Sequence, residues 1–166
     1  MVDPGAARRS LKWRTPPASL DTFRVLPLFA DGLRELEWPY AFVAREGTQT
    51  LIASAGARLP AAMPALVQPL RIALNTRDPA VIRAVLDTLR RAMAADAAVA
   101  PALVPFLGLL LPVLAIFVND YSGESRRRRS LGDCIEELLR NLRTGGGEGA
   151  VAAIRCAIPT FELVQS

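Results

Sequence analysis

The sequence predicts an all-α fold, a single-domain α-solenoid built from stacked helical pairs. The stretch from Leu59 to Ala94 reads as one helix, a turn and a second helix. Asp78 and Pro79 occupy the positions of an N-cap and a first helical residue at the start of the second helix. Apolar residues recur at helical spacing in both halves: Leu59, Met63, Leu66, Leu70 and Leu74, then Val81, Ile82, Val85, Leu89 and Met93.

Three prolines mark related segments of the chain. Each is followed six residues later by leucine, and the spacings are 37 and 41 residues: Pro27 with Leu33, Pro64 with Leu70, and Pro105 with Leu111. Among 13 prolines some recurrence arises by chance, but the helical periodicity favours repeats of the armadillo or HEAT type, whose period is about 40 to 47 residues. We therefore expect an armadillo/HEAT-like α-solenoid of about three helical repeats over residues 11–166, after a disordered N-terminal tail over residues 1–10.

The basic residues of the chain are nearly all arginine. The formal net charge is +4, and Lys12 is the only lysine among 20 basic residues. Guanidinium groups bind carboxylates in a fork geometry, so this bias suits an acidic partner. GC-rich coding would produce the same bias, and composition alone names no partner.

The chain contains no histidine, which excludes most hydrolase and zinc chemistry. Cys134 and Cys156 lack CxxC spacing, so we expect two buried, reduced thiols. Gly145, Gly146, Gly147 and Gly149 could form a phosphate cradle, but no Lys-Ser or Lys-Thr follows them. They favour a helix end with Gly145 at the C-cap instead. We expect no enzyme activity, no cofactor and no metal site.

A run of 22 residues from Ala97 to Val118 carries no charge and is long enough to cross a membrane. Three prolines break it, Pro101, Pro105 and Pro112, so the buried middle of a helical stack is favoured. The first ten residues lack the apolar core of a signal peptide. The sequence therefore predicts a cytoplasmic protein that does not bind membranes.

Two basic segments are candidate partner contacts. Four consecutive arginines, Arg126, Arg127, Arg128 and Arg129, follow a predicted loop and precede a helix that opens near Ser130. The other segment contains Arg8, Arg9, Lys12 and Arg14. Such runs are commonly solvated loops, and their functional interpretation is electrostatic contact with an acidic surface. No aromatic residues interleave with the arginine run, so nucleic acid is not expected as a partner.

Several blocks of the chain resemble the parkin co-regulated gene protein (PACRG) family. The most specific is VLPLFADGLRELEWPYAFVAREG, from Val25 to Gly47, and others are LPAAMPALVQPLRIALNTRDPAVI, LPVLAIF and GGGEGAVAAIRCAIPTFE. The resemblance covers roughly Leu11 to Glu162. Within the first block we interpret Trp38, Tyr40 and Phe42 as core packing. LKWRTPPASLD is similar to the PACRG-like sibling branch, whereas LPVLAIF and LGDCIEELL resemble PACRG proper.

The resemblance implies a structural protein of cilia and flagella that binds tubulin. It implies a place at the inner junction of axonemal doublet microtubules, where family members bridge the A- and B-tubules beside a small β-sandwich flagellar protein. Junction members carry a longer N-terminal extension than the ten residues that precede Leu11 here. The alternative is a soluble HEAT-like adaptor that binds a chaperone or another protein without stable microtubule association. The axonemal hypothesis needs the two basic segments, and the adaptor needs an apolar groove.

Overall fold

The computed structural model of the chain describes residues 10–119 and 130–161. In these two ranges the chain is helical and contains no strand, which confirms the predicted all-α class. A short 3₁₀ turn at Pro17–Ser19 precedes the first α-helix, and others at Gly32–Arg34, Gly56–Arg58 and Val104–Phe106 lie between the helices. The α-helices are α1 (Thr22–Asp31), α2 (Tyr40–Ala55), α3 (Leu59–Asn75), α4 (Pro79–Ala95), α5 (Val99–Leu103), α6 (Leu107–Ala115) and α7 (Leu131–Ala157).

Side-chain caps define where α4 and α7 begin. The Asp78 carboxylate accepts hydrogen bonds from the backbone N–H groups of Ala80 and Val81, at 2.8 and 3.2 Å. Ser130 and Asp133 form a capping box at the start of α7, with two reciprocal bonds of 3.1 Å. Both helix starts are therefore where the sequence predicted them.

Replacing Asp78 with alanine should lower the free energy of unfolding by about 1 kcal/mol, because two N–H groups of α4 lose their acceptor. Urea denaturation of the purified chain measures this. Asp78→Asn keeps an acceptor oxygen and is the control, with an expected loss below about 0.5 kcal/mol. An equal loss in both variants would show that the cap does not act through this hydrogen bonding.

The helices pack in two layers. The first layer contains α1, α3 and the α5–α6 segment, with α3 in contact with the helices on both sides of it. The second layer contains α2, α4 and α7, with α4 in contact with both of its neighbours. Pro27, Pro64 and Pro105 all lie in the first layer, inside α1, inside α3 and in the turn before α6. The number of repeats stays a prediction.

The glycine run interrupts the helix, but at Gly147 and not at Gly145, so the predicted position of the helix end is wrong by two residues. Gly147 has φ 61° and ψ −151°, and this kink divides α7 into two helical segments. The other glycines allow close packing: a Cβ added to Gly145 would lie 2.7 Å from the Cβ of Ala100 in α5. One added to Gly149 would lie 2.9 Å from a methyl of Val104. The run thus brings α7 against the first layer.

The uncharged run from Ala97 to Val118 is divided between α5, a 3₁₀ turn and α6. Its helices, Val99–Ala115, are shorter than a membrane span, whereas within the described residues the stretch Tyr40–Asn75 has the length and apolar character of one. It comprises α2 and α3 with a turn at Gly56 between them, and 44% of its most apolar window is buried in the fold. The absence of membrane binding stays a prediction.

Candidate partner-binding surfaces

Lys12 and Arg14, two of the predicted contact residues, are exposed on the segment that precedes α1. Between them Trp13 is partly buried and packs on Phe29 of α1, with ring centroids 5.5 Å apart. The indole therefore anchors the segment on the fold, while both basic side chains remain available to a partner.

Arg58 holds the same segment against the end of α2. Its guanidinium donates hydrogen bonds to the carbonyl oxygens of Ala18 and Leu20, at 3.0 and 3.3 Å, and its Nε donates to Ala55 at 3.2 Å. The remaining predicted contact residues lie outside the described residues, and their role stays a prediction: Arg8, Arg9, Arg126, Arg127, Arg128 and Arg129.

A groove lined by polar and apolar side chains crosses the outer surface of the second layer, from α2 over α4 to α7. It consists of three cavities of about 380, 280 and 380 Å³. The first cavity shares Arg83 and Asp87 with the second, and the second shares Arg90 and Glu137 with the third. We call this surface the arginine groove. Its other polar lining residues are Arg45, Gln49, Thr88, Asn141 and Thr144.

Asp87 is the acceptor at the centre of the arginine groove. Its carboxylate receives bonds from Arg90 at 2.7 Å, from Arg91 at 2.8 Å and from Gln49 of α2 at 3.0 Å. Burial raises the pKa of Asp87, but the hydrogen bonds and charges of Arg90 and Arg91 outweigh it, so the pKa lies below its ordinary value. Asp87 is therefore ionised at neutral pH and already engaged by three donors.

Arg45 projects from α2 into the same groove without such an acceptor. Its Nε is buried, and in the part of the chain that the structure describes it has no hydrogen-bond partner. Arg83, which faces it across the first cavity, places its Nη1 3.6 Å from the sulfur of Cys134. Arg45 thus lines an open cavity and carries a buried N–H donor that has no acceptor among the described residues.

A second surface, which we call the apolar patch, lies on α1 and the start of α2. Leu28, Trp38 and Tyr40 are 72%, 69% and 66% exposed. Leu28 and Tyr40 line a cleft of about 440 Å³ together with Phe29 and Val43. The predicted core packing is therefore wrong for Trp38 and Tyr40, whereas Phe42 is partly buried. The reason is that the α1–α2 contact is filled by small residues, Ala41, Ala44 and Gly47.

Within residues 10–119 and 130–161, no three metal-ligating side chains come together. Both cysteines are free, but the prediction that both are buried is wrong: Cys134 is partly buried and Cys156 is exposed. Cys156 follows the exposed Arg155 on the outward side of α7, away from the core. The chemistry that these surfaces offer is recognition of carboxylates and of apolar side chains.

The chain matches the family model described as Parkin co-regulated protein over residues 1–163. It belongs to the parkin co-regulated protein family. A mouse relative, Parkin coregulated gene protein homolog from Mus musculus, is 34% identical in an alignment of 161 positions that covers 92% of this chain. The same alignment spans 66% of the mouse protein, just under two thirds of its length.

The family membership confirms the resemblance predicted from the sequence blocks. The sequence did not reveal the arginine groove, because its residues are far apart along the chain: Gln49 and Asp87, which meet across it, are separated by 38 positions. Arg45 lies inside the most family-like block, VLPLFADGLRELEWPYAFVAREG, but no local pattern distinguishes it from a solvated arginine.

Proposed function

We propose that this parkin co-regulated family protein is a structural, non-enzymatic microtubule-associated protein of the ciliary or flagellar axoneme. The observation that carries the proposal is the family match along almost the whole chain, residues 1–163. By resemblance, its place is the inner junction, where it binds tubulin, bridges the A- and B-tubules and contacts a small β-sandwich flagellar protein. Its location is then the cytoplasm and, within it, the axonemal cytoskeleton.

Charge and shape both support this proposal. Tubulin is acidic, and the chain carries a net charge of +4 that is supplied almost entirely by arginine. The exposed Lys12 and Arg14 provide one contact, and the arginine run from Arg126 to Arg129 provides a second. A helical domain whose two layers pack against each other along their length can act as a rigid spacer. Weak contacts repeated along a filament add through avidity.

The apolar patch favours a second candidate function, an adaptor that binds a chaperone or another protein partner without joining the microtubule. Exposed aromatic and leucine side chains surrounding a cleft are typical of protein–protein contacts. Leu28 and Tyr40, both more than 60% exposed, would be the anchors. This candidate predicts that the patch, and not the basic segments, determines binding.

Pelleting with microtubules across a salt series tests the axonemal proposal. We expect the purified chain to pellet at low salt and to be released as salt rises, because exposed charges are screened over about 10 Å at 0.1 M. Changing Arg126, Arg127, Arg128 and Arg129 to serine should weaken binding about tenfold or more, since each contact contributes up to about 1 kcal/mol. Tubulin stripped of its acidic tails shows whether the tails or the lattice are bound.

The matched control removes the apolar patch with Leu28→Ser and Tyr40→Ser. On the axonemal proposal this variant pellets as the wild type does, whereas the serine variant of the arginine run does not. The failure of the wild-type chain to pellet even at low salt would contradict direct tubulin binding and favour the adaptor. If only the patch variant fails to pellet, the microtubule binds the apolar patch and not the basic segments, which would contradict our proposal.

A further inference from the structure

The starting observation is the buried Nε of Arg45, which lacks an acceptor. In the part of the chain that the structure describes, no other buried side-chain nitrogen or oxygen is left without a hydrogen bond. Leaving a buried donor unpaired costs free energy, more so when the group is charged. A fold that keeps such a donor at the wall of an open cavity of about 380 Å³ is prepared for an acceptor from outside the chain.

The neighbouring carboxylate of Asp87 does not meet this need. It lines the same cavity, but it is bound by Gln49, Arg90 and Arg91, and it has no bond to Arg45. The positive charge of Arg45 is therefore uncompensated at short range. An incoming carboxylate would satisfy the Nε and form charge-assisted bonds with the rest of the guanidinium.

The length of the arginine groove indicates that the ligand is longer than one carboxylate. Its three cavities pass from α2 to α7, and neighbouring helix axes lie 8–10 Å apart, so the groove extends for about 20 Å. An extended peptide of about six residues covers that distance. The Gln49 amide, whose nitrogen donates to Asp87, keeps its oxygen as an acceptor in the first cavity, and the Asn141 amide lines the third, so both offer polar contacts to a peptide backbone.

We infer that the arginine groove binds an extended acidic peptide of a protein partner, and that Arg45 takes one of its carboxylates. Charge complementarity identifies the occupant: the guanidinium groups of Arg45, Arg83 and Arg90 line the groove together with the carboxylates of Asp87 and Glu137. With Arg91, which also pairs with Asp87, four guanidinium groups stand beside two carboxylates, so the net charge of these side chains is +2. The inference does not depend on microtubule binding and uses a different surface from the two basic segments.

The test is fluorescence anisotropy of the full chain with a fluorescein-labelled peptide of eight glutamates. We expect binding at low salt, and at least tenfold weaker binding by a peptide of eight glutamines. Arg45→Gln should raise the Kd about tenfold, the loss expected for one charge-assisted hydrogen-bonded contact. Arg71→Gln is the matched control, because Arg71 is exposed on α3 and lines none of the three cavities, and its Kd should change less than twofold.

A second variant, Arg45→Lys, keeps the charge but removes the Nε donor and the fork. It should bind several-fold more weakly than the wild type, and it keeps the test valid if Arg45→Gln does not fold by circular dichroism. Equal weakening by Arg45→Gln and Arg71→Gln would reduce the effect to net charge and overturn the inference. Absence of glutamate-peptide binding to the wild type would also overturn it, without bearing on the microtubule proposal.

Discussion

Leu66→Ala is expected to lower the free energy of unfolding by about 3 kcal/mol, within the range of about 2–5 kcal/mol for fully buried leucines. Leu66 lies in the middle of α3 and has no solvent exposure. Because α3 contacts α1, α4, α5 and α6, a cavity at this position is enclosed from several directions and cannot collapse easily. The loss would be a large fraction of the 5–15 kcal/mol typical of whole domains.

Urea denaturation, followed by circular dichroism, measures this loss, and a calorimetric scan should show the melting temperature falling by roughly 5–15 °C. Leu109→Ala provides the control, since it deletes the same atoms from a side chain of α6 that is 44% exposed. It should cost less than about 1 kcal/mol. Similar losses in the two variants would mean that α3 is not the centre of the core.

Local signals in the sequence determined what could be predicted of the fold. The α3–α4 pair was predictable because its stripe of apolar residues, its capping aspartate and its first-turn proline all act within a few residues. The start of α7 at Ser130 follows from the same kind of short-range chemistry. The glycine run predicted an interruption of the helix but not its position: Gly145 also satisfies the rule for a helix end, whereas the kink is at Gly147 and Gly145 packs against Ala100 of another helix.

The candidate surfaces depended on contacts that no local pattern encodes. Trp38 and Tyr40 were expected in the core because aromatic residues are usually buried, but the buried face of α2 beside them is formed by the small residues Ala41, Ala44 and Gly47. Likewise, whether Arg45 finds an acceptor depends on how Asp87 is engaged by Arg90 and Arg91. Such competition between partners is visible only once the helices are in place.

The apolar patch and the arginine groove lie on different sides of α2. Val43 faces the apolar patch and Arg45 faces the arginine groove. Residues two positions apart on a helix, such as Val43 and Arg45, are separated by about 200° around its axis, so the two surfaces point in nearly opposite directions. A partner on one surface therefore leaves the other surface accessible.

Gly47→Ala is expected to destabilise the fold by about 1–3 kcal/mol, even though alanine favours helices by up to about 1 kcal/mol over glycine. Gly47 is buried in α2, and an added Cβ would overlap Cδ1 and Cε1 of the Phe29 ring. That ring packs on Trp13, so it cannot turn away without disturbing the segment that carries Lys12 and Arg14. The overlap should outweigh the gain in helix propensity.

Gly108→Ala is the matched substitution for Gly47→Ala, because a Cβ on Gly108 in α6 meets no atom within 4 Å. It should leave stability unchanged or raise it by up to about 1 kcal/mol. Thermal unfolding of both variants makes the comparison. The double variant Gly47→Ala with Phe29→Leu should lose less stability than the sum of the losses of the two single variants, because both changes act on one contact. If Gly47→Ala is as stable as Gly108→Ala, the close approach of α1 and α2 at this glycine does not constrain the fold.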